Sequence, residues 1–458
     1  MPDASHVGPE PGQEQAASAN TALLKLRSAE QRATAPKAAA ERGPAQHVCI
    51  LGLGYVGLPT AAMLAVNGFR VIGVDAKHEV VDRINSGDVP IDEVGLKTLV
   101  QAAVGSGNLR AQPEPGPADV FIIAVPTPIK ENRAADLSYV EQAARSIVPH
   151  LRAGNLVVLE STVPPGTTAG MLVSILSESG LKPGEGIFVA HCPERVLPGR
   201  ILAELVENDR VVGGMDPESG ERAAAMYRRI VEGEVIVVDA TTAELVKLVE
   251  NASRDVSIAF ANEVAQLCRE HGVNGREVIA LANRHPRVDI LQPGPGVGGH
   301  CIPVDPWFLI SGAPEGGRLI RTAREINDGQ PAWIAERTVE EVRDIPDPKV
   351  SVWGVAYKGN VDDPRETPAL KVISTLEQRG VRVSAVDFHV KRFPRELEDL
   401  ETSVTGADCI LLLTDHREFG FLEPEAIGQR MRHRVLFDTR GCLPRGRWER
   451  AGFRVIGL

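Results

Sequence analysis

The sequence predicts an α/β protein: two Rossmann-like, doubly wound parallel-sheet domains joined by a long central helix. Three observations lead there. Short runs rich in Val and Ile alternate with helix-length amphipathic stretches. A glycine-rich turn follows the first of those runs, and one helical stretch beyond residue 240 is too long to be a strand crossover.

The first series starts after Gln46. His47–Leu51, Arg70–Val74, Val120–Val125, Leu156–Leu159 and Ile187–Ala190 are apolar runs of four to six residues. Helix-length segments such as Pro59–Asn67 and Ser138–Leu151 lie between them. Strands that are apolar on both faces belong to a parallel sheet covered by helices on each side. From Thr241-Thr242, read as a helix cap, apolar residues recur at helical spacing through Leu245, Leu248, Val249, Ala252, Val256, Ala259, Phe260 and Val264. No Pro or Gly interrupts that run until Gly272, so the helix suits joining two domains and forming a dimer interface. A second, smaller series follows at Val350–Val355, Val381–Val386, Cys409–Thr414 and Val435–Asp438, after the Pro-containing boundary Asp344–Lys349.

The expected organisation is a mobile tail over residues 1–45, rich in Ala, Glu, Gln and Pro, with one frayed helix at Thr21–Gln31. A dinucleotide-binding domain spans 46–240, a central helical domain 241–344, and a nucleotide-sized α/β domain 345–458. A ligand cleft is expected between the two α/β domains.

Composition narrows the function. With 43% hydrophobic and 24% charged residues in 458, the chain reads as a soluble globular protein. No run of eighteen apolar residues exists, and the start lacks the basic-then-apolar layout of a secretory signal, so a cytoplasmic protein without a membrane span is expected. A net charge of −11 argues against a nucleic-acid partner. The six cysteines show no paired spacing and read as reduced thiols, one of which is reactive. No metal site is expected.

The segment from Cys49 to Pro59 places Gly52, Gly54 and Gly57 as G-x-G-x-x-G between a strand and a helix, with Tyr55 and Val56 inside the turn. The glycines permit the tight turn, close approach of backbone to a pyrophosphate, and close helix–strand packing. Asp75, at the end of the next strand and eighteen residues after Gly57, is placed to accept hydrogen bonds from a ribose 2′-OH. A 2′-phosphate would be repelled there, which favours NAD over NADP. Thr127 and Thr162 fall at two further strand ends and are expected to line the nicotinamide pocket.

The stretch from Gly294 to Pro306 is the most informative in the chain. Cys301 follows the pair Gly298-Gly299 and His300, on loop backbone that a ligand can approach closely. Cys49, Cys268 and Cys409 read as small buried hydrophobes, whereas the loop context makes Cys301 a nucleophile. On the long helix, Lys247, Asn251, Arg254 and Asp255 share one stripe that either faces solvent or lines the cleft beside the thiol. A nearby Lys247 would lower the thiol pKa.

These motifs resemble the UDP-glucose/GDP-mannose dehydrogenase family from about His47 to the C-terminus. Pro193–Gly199, Asn208–Met215, Asn283–Val288 and Leu291–Gly294 leading into Val297–Cys301 look like its UDP-N-acetylmannosamine branch. The resemblance implies an NAD-dependent four-electron oxidation of a UDP-sugar C6 alcohol through a thiohemiacetal and a thioester on Cys301, in a homodimer built on the central helix. It further implies that Lys247 is the acid/base or oxyanion-stabilising residue and that Asn251 hydrogen-bonds the reacting oxygen. Asp305, Glu194 and Thr162 would handle the hydrolytic water. Arg195, Val196, Arg254, His285, Arg287, Gly298, Tyr357 and Lys358 match substrate contacts, together with Lys247 and Asn251, and Arg365 matches a cofactor contact. Gly359 departs from the branch, which often carries Pro there. UDP-N-acetylglucosamine and UDP-glucose remain rival substrates, and a non-catalytic nucleotide-sugar sensor is the rival class.

Overall fold

The computed structural model describes residues 46–458 except 92 and 314; the tail expected over residues 1–45, with its helix at Thr21–Gln31, lies outside them. The chain forms two compact units. One contains the described residues through Thr127, with Leu137–Ser161 and Gly166–Ala243; the other contains Pro128–Asp136, Thr162–Pro165 and Glu244–Leu458.

The first unit is built on an eight-stranded sheet in the order β3-β2-β1-β4-β5-β6-β7-β8. Its strands are β1 His47–Leu51, β2 Arg70–Val74, β3 Leu109–Gln112, β4 Val120–Ile123, β5 Leu156–Leu159, β6 Phe188–His191, β7 Arg210–Gly214 and β8 Val235–Asp239. Seven neighbours would be parallel in a purely doubly wound sheet, but β6 and β7 pair antiparallel through Ala190↔Gly214 and His191↔Gly213. The order reverses between β1 and β4, where Leu51 pairs with Ile123, and such a reversal opens a crevice at the strand ends. Helix α1, Gly57–Val66, packs Leu58, Ala61, Ala62 and Leu64 into the core with Val48, Ile50, Phe69 and Ile122. Helix α2, Pro217–Tyr227, starts on Asp216, whose side chain accepts the Ser219 N–H, and buries Met226 and Tyr227.

The long helix α3 runs from Ala240 to Glu270, 31 residues. Its first turn is held by Asp239, whose carboxylate accepts the Thr242 N–H at 2.9 Å, so the cap lies ahead of the Thr241-Thr242 pair expected from the sequence. The helix ends before Gly272, which sits at φ +72°.

The second unit carries helices α4 Asp305–Ser311, α5 Arg318–Val342 and α6 Pro368–Gln378. Its five-stranded sheet is entirely parallel: β9 Lys349–Trp353, β10 Arg382–Val386, β11 Cys409–Leu412, β12 Val435–Asp438 and β13 Arg454–Gly457, in the order β10-β9-β11-β12-β13. Val350, Val352, Leu411 and Phe437 face helices α5 and α6 in one core, and Trp353 stacks on Phe419 at 5.1 Å in the other. Both sheets are thus open, helix-covered α/β layers. Among the described residues no helix is long and apolar enough to cross a membrane.

Candidate active site

The glycine turn after β1 is shaped by contacts that exclude side chains. A Cβ at Gly57 would lie 1.8 Å from the Gly52 carbonyl oxygen, and one at Gly52, where φ is +95°, 2.5 Å from that of Ala124. At Gly54 the Cβ direction faces open space, which leaves backbone approachable. Tyr55 is exposed and Val56 half-buried within the turn. Asp75 accepts the Leu53 N–H at 3.1 Å on one carboxylate oxygen and the Lys77 N–H at 3.0 Å on the other. An ionised carboxylate offers about four acceptor positions, so Asp75 keeps capacity for a ribose diol. These residues fit a dinucleotide without a 2′-phosphate. Thr127 follows β4 and Thr162 follows β5, both half-buried.

In the second unit, Cys301 lies in the turn before α4, and its carbonyl oxygen accepts the N–H groups of Val304 at 3.0 Å and Asp305 at 2.8 Å. Asp305 is buried and its carboxylate accepts Asn251 Nδ2 at 2.5 Å. Burial lifts the Asp305 carboxyl to about 6, against the pull of the Lys247 ammonium and the Asn251 hydrogen bond. Lys247 acts on Cys301 too. The residue is exposed, yet the protein packed round the thiol pushes it above its ordinary value; Lys247 pulls it down and Asp305 adds to the rise. Lys247 thus acts in the expected direction, but burial outweighs one ammonium and the net shift is upward. Cys301, Lys247, Asn251 and Asp305 therefore form one group: a thiol, a cation, an amide and a carboxyl of raised pKa. Cys49 and Cys409 are buried, with thiols pushed up to about 11 and about 12, as inert core cysteines should be; Cys268 is buried as well.

Asp255 does not join this group. It is fully buried and bonded to Arg324 Nη1 at 2.6 Å and Asn327 Nδ2 at 2.8 Å, which makes it a tie between α3 and α5. The glycines ahead of Cys301 explain themselves by contact. A Cβ at Gly298 would meet the Tyr357 Cβ at 2.9 Å, and one at Gly299 the Tyr357 ring at 3.0 Å. His300 is paired with Asp363 at 3.2 Å, consistent with a turn-filling role. The same carboxylate takes Arg365 Nε at 2.8 Å and Nη2 at 2.7 Å, so the expected cofactor-contact guanidinium is tied down within its own loop. A Cβ at Gly359 would sit 2.6 Å from the Asp415 carbonyl oxygen, a physical reason for glycine at this departure from the branch.

The other expected substrate contacts are divided between the two units. Lys358 is exposed beside Tyr357, Arg254 is exposed on α3, and His285 and Arg287 are exposed in the loop ahead of Asp289. Arg195 and Val196 are half-buried, and Arg195 donates through Nη2 to the Asp209 carbonyl. His389, His416 and Glu418 come within metal-ligand reach of one another. His416, however, accepts the Asn360 N–H on Nδ1 at 2.9 Å and faces Asp387 with Nε2 at 2.9 Å, so no lone pair is left for a cation.

One cluster escaped sequence reasoning. Glu194 is buried, and its carboxylate accepts the Arg195 N–H at 2.7 Å and Arg210 Nη2 at 2.8 Å. Arg210 also reaches Glu160 at 3.4 Å, and Glu160 accepts the Tyr227 hydroxyl at 2.6 Å and the Thr60 hydroxyl at 3.5 Å. The one available signal was an arginine opening the otherwise apolar and glycine-rich run Arg210–Gly214, which is unusual for a fully buried strand.

Models of the UDP-glucose/GDP-mannose dehydrogenase family match three segments: the NAD-binding domain over residues 46–231, the central domain over 241–329 and the UDP-binding domain over 351–445. A Methanocaldococcus jannaschii protein called UDP-N-acetyl-D-mannosamine dehydrogenase is 47% identical over 91% of this chain and 97% of its own. A Ralstonia nicotianae protein called NDP-N-acetyl-D-galactosaminuronic acid dehydrogenase is 50% identical over 86% of this chain and 95% of its own. The solved structure of a Pyrococcus horikoshii UDP-D-ManNAc dehydrogenase superposes with a TM-score of 0.84 at 42% identity, covering 90% of this chain and 99% of that one. The chain belongs to the UDP-glucose/GDP-mannose dehydrogenase family and is an NAD-dependent dehydrogenase of nucleotide sugars.

Proposed function

We propose that this enzyme oxidises the C6 alcohol of UDP-N-acetyl-D-mannosamine to the carboxylate of UDP-N-acetyl-D-mannosaminuronate, through a thiohemiacetal and a thioester on Cys301. The observation that carries the reading is the grouping of Cys301 with Lys247, Asn251 and Asp305. An enzyme that stops at the aldehyde needs an acid/base but no nucleophile, whereas a thioester requires a thiol in place. The sugar is taken from the names of the relatives at 46–47% identity.

Gly52, Gly54, Tyr55, Val56, Gly57, Asp75, Thr127, Thr162 and Arg365 would hold NAD, which would accept one hydride per molecule, one molecule for each of the two oxidations. Asn251 hydrogen-bonds the reacting C6 oxygen, and Lys247 is assigned beside it as the acid/base or oxyanion-stabilising residue. The Cys301 sulfur then bonds to the aldehyde carbon while the thiol proton passes to the former carbonyl oxygen, giving the thiohemiacetal; the negative charge that develops on that oxygen is stabilised by Lys247 and Asn251, each such donor worth roughly 2.7–4 kcal/mol. After the second hydride leaves, water bonds to the thioester carbon under the control of Asp305, Glu194 and Thr162, and the carbon–sulfur bond breaks. Arg195, Val196, Arg254, His285, Arg287, Gly298, Tyr357 and Lys358 are assigned to the sugar nucleotide. The assignment of roles follows the domain division 46–240, 241–344 and 345–458. Cysteines left as free thiols suit a cytoplasmic enzyme.

The chain is also assigned as a homodimer through α3. Val249, Phe260 and Leu267 are each more than half exposed along it, and Val256, Phe260, Leu319 and Ile326 line an apolar recess. Sedimentation as a monomer at micromolar concentration overturns this.

A second reading keeps the chemistry and changes the N-acetylhexosamine, and it is favoured by the name of the relative at 50% identity. The test is NADH formed per sugar nucleotide, with UDP-N-acetylmannosamine, UDP-N-acetylglucosamine and UDP-N-acetylgalactosamine supplied separately at limiting concentration. Two NADH from the first alone is the expected result; two from another moves the substrate, and one from any of them defeats the thioester route. Cys301→Ser is expected to abolish acid formation, and undiminished turnover to acid would leave the covalent scheme without its nucleophile.

A further inference from the structure

We propose that Arg210 is a positioning residue for the hydrolytic half of the reaction, holding the Glu194 carboxylate in place while Glu160 takes up the surplus negative charge as a proton. The inference rests on the reading of Glu194 as the group that receives the water proton.

Glu194 sits on a loop between β6 and the helix beginning at Ile201, with no strand or helix to fix its rotamer. Two donors hold its carboxylate: the Arg195 N–H at 2.7 Å and Arg210 Nη2 at 2.8 Å. Arg210 is itself held from every side. Its Nε lies 3.2 Å from Cys192 Sγ, its guanidinium carbon 4.6 Å from the centre of the Tyr227 ring, and Nη2 reaches Glu160 at 3.4 Å. The residue is 5% exposed, between Glu160 at 1% and Glu194 at 7%.

One guanidinium thus faces two carboxylates away from water. Both ionised, they would leave an uncompensated buried negative charge, which is strongly unfavourable, so one carboxyl keeps its proton. Glu160 is that one. It has the longer contact with Arg210, and burial pushes it up to about 7 despite Arg210, with the Glu194 charge adding to the rise and the Tyr227 and Thr60 hydroxyls opposing it. Glu194 has the shorter contact and a backbone donor, so the guanidinium pairs with it more closely than with Glu160. In the hydrolytic step the water oxygen bonds to the thioester carbon, its proton passes to Glu194, and the carbon–sulfur bond breaks to release the Cys301 thiolate and the acid. Above about pH 7 Glu160 loses its proton and Arg210 is divided between two anions, with Tyr227, Thr60 and Cys192 the other groups facing them.

The test is rapid mixing of the full-length enzyme with UDP-N-acetyl-D-mannosamine and NAD. Arg210→Lys and Arg210→Met are expected to release two NADH per active site at close to the wild-type rate and then stall, with the steady state at least 100-fold slower. Lys keeps the charge but not the fork, so it is expected to stall less than Met. Glu194→Gln, run in parallel, is expected to stall the same way. If Arg210→Lys runs like the wild type while Glu194→Gln stalls, the positioning role is overturned alone. If Glu194→Gln does not stall, the reading of Glu194 fails and the inference with it. Equal slowing of burst and steady state marks Arg210 as merely structural and also overturns the proposal. Should Arg210→Met prove insoluble, Arg210→Lys carries the test. Glu160→Gln is expected to remove an inflection near pH 7 from the post-burst rate, and its persistence overturns the sharing of charge.

Discussion

The two sheets make the same turn at the same place and use it differently. After β1 the chain turns at Gly52 with φ +95°, and after β9 at Gly354 with φ +84°. In each unit an aspartate stands one residue past the neighbouring strand, Asp75 after β2 and Asp387 after β10, and accepts the N–H of the residue following the glycine: Leu53 at 3.1 Å, Val355 at 2.7 Å. There the likeness ends. Asp75 has one further donor, Lys77, and keeps open acceptor positions. Asp387 has four: the N–H groups of Ala356, His389 and Val390, and the His416 ring, and its side chain is sealed from solvent. Burial alone would raise its carboxyl, yet His416 and those N–H groups hold it well below the ordinary carboxylate range. An aspartate at this position has room for a ligand when its acceptors are open and is a clamp when the protein fills them.

The largest effect expected from this contrast is on stability. Asp387→Ala leaves several buried N–H groups and a histidine without their acceptor, and removing one partner of such a network costs about 3–5 kcal/mol. Thermal unfolding monitored by circular dichroism should show a fall of several degrees; an unchanged midpoint would remove the clamp from the account. Asp75→Ala should be smaller in size and different in kind. Loss of a charged hydrogen bond to ribose, about 1.5–3 kcal/mol, raises the KM for NAD roughly 10- to 100-fold with little change in unfolding temperature. Equal losses of stability in the two variants would erase the distinction. The smallest effect is on acid sensitivity. Asp387 has a depressed folded-state pKa, so its contribution is present above its ordinary value of 3.8 and is lost as the pH falls toward the folded value. The gap in unfolding temperature between wild type and Asp387→Asn should therefore narrow on acidification from pH 5 to about 2.5. A constant gap would assign the difference to shape and not to charge.

What the sequence disclosed was local. Gly52, Gly54, Gly57 and Asp75 lie within one strand–turn–helix–strand segment, and Cys301 stands on a loop marked by glycines, so spacing alone singled out both as candidates. Helical periodicity put Lys247, Asn251 and Asp255 on one stripe but could not say which side of the stripe packs inward. Asp255 turned toward Arg324, four residues from an asparagine that turned toward Asp305. The Glu160–Arg210–Glu194 cluster was hidden for another reason. Its members lie fifty and sixteen residues apart, and one of its strands enters the sheet antiparallel, a reversal that hydrophobic patterning does not signal. Asp387 was equally obscure, since its likeness to Asp75 depends on which strands are neighbours.

The packing of Gly298 and Gly299 against Tyr357 has a consequence for how this enzyme can diverge. No side chain fits at either glycine without displacing Tyr357, so the Cys301 loop and the loop after β9 are bound to vary together or not at all. A change of sugar preference must then arise through residues outside this contact. Lineages that exchange one hexosamine for another are expected to keep the glycine pair and Tyr357 as a unit while the exposed positions around them drift.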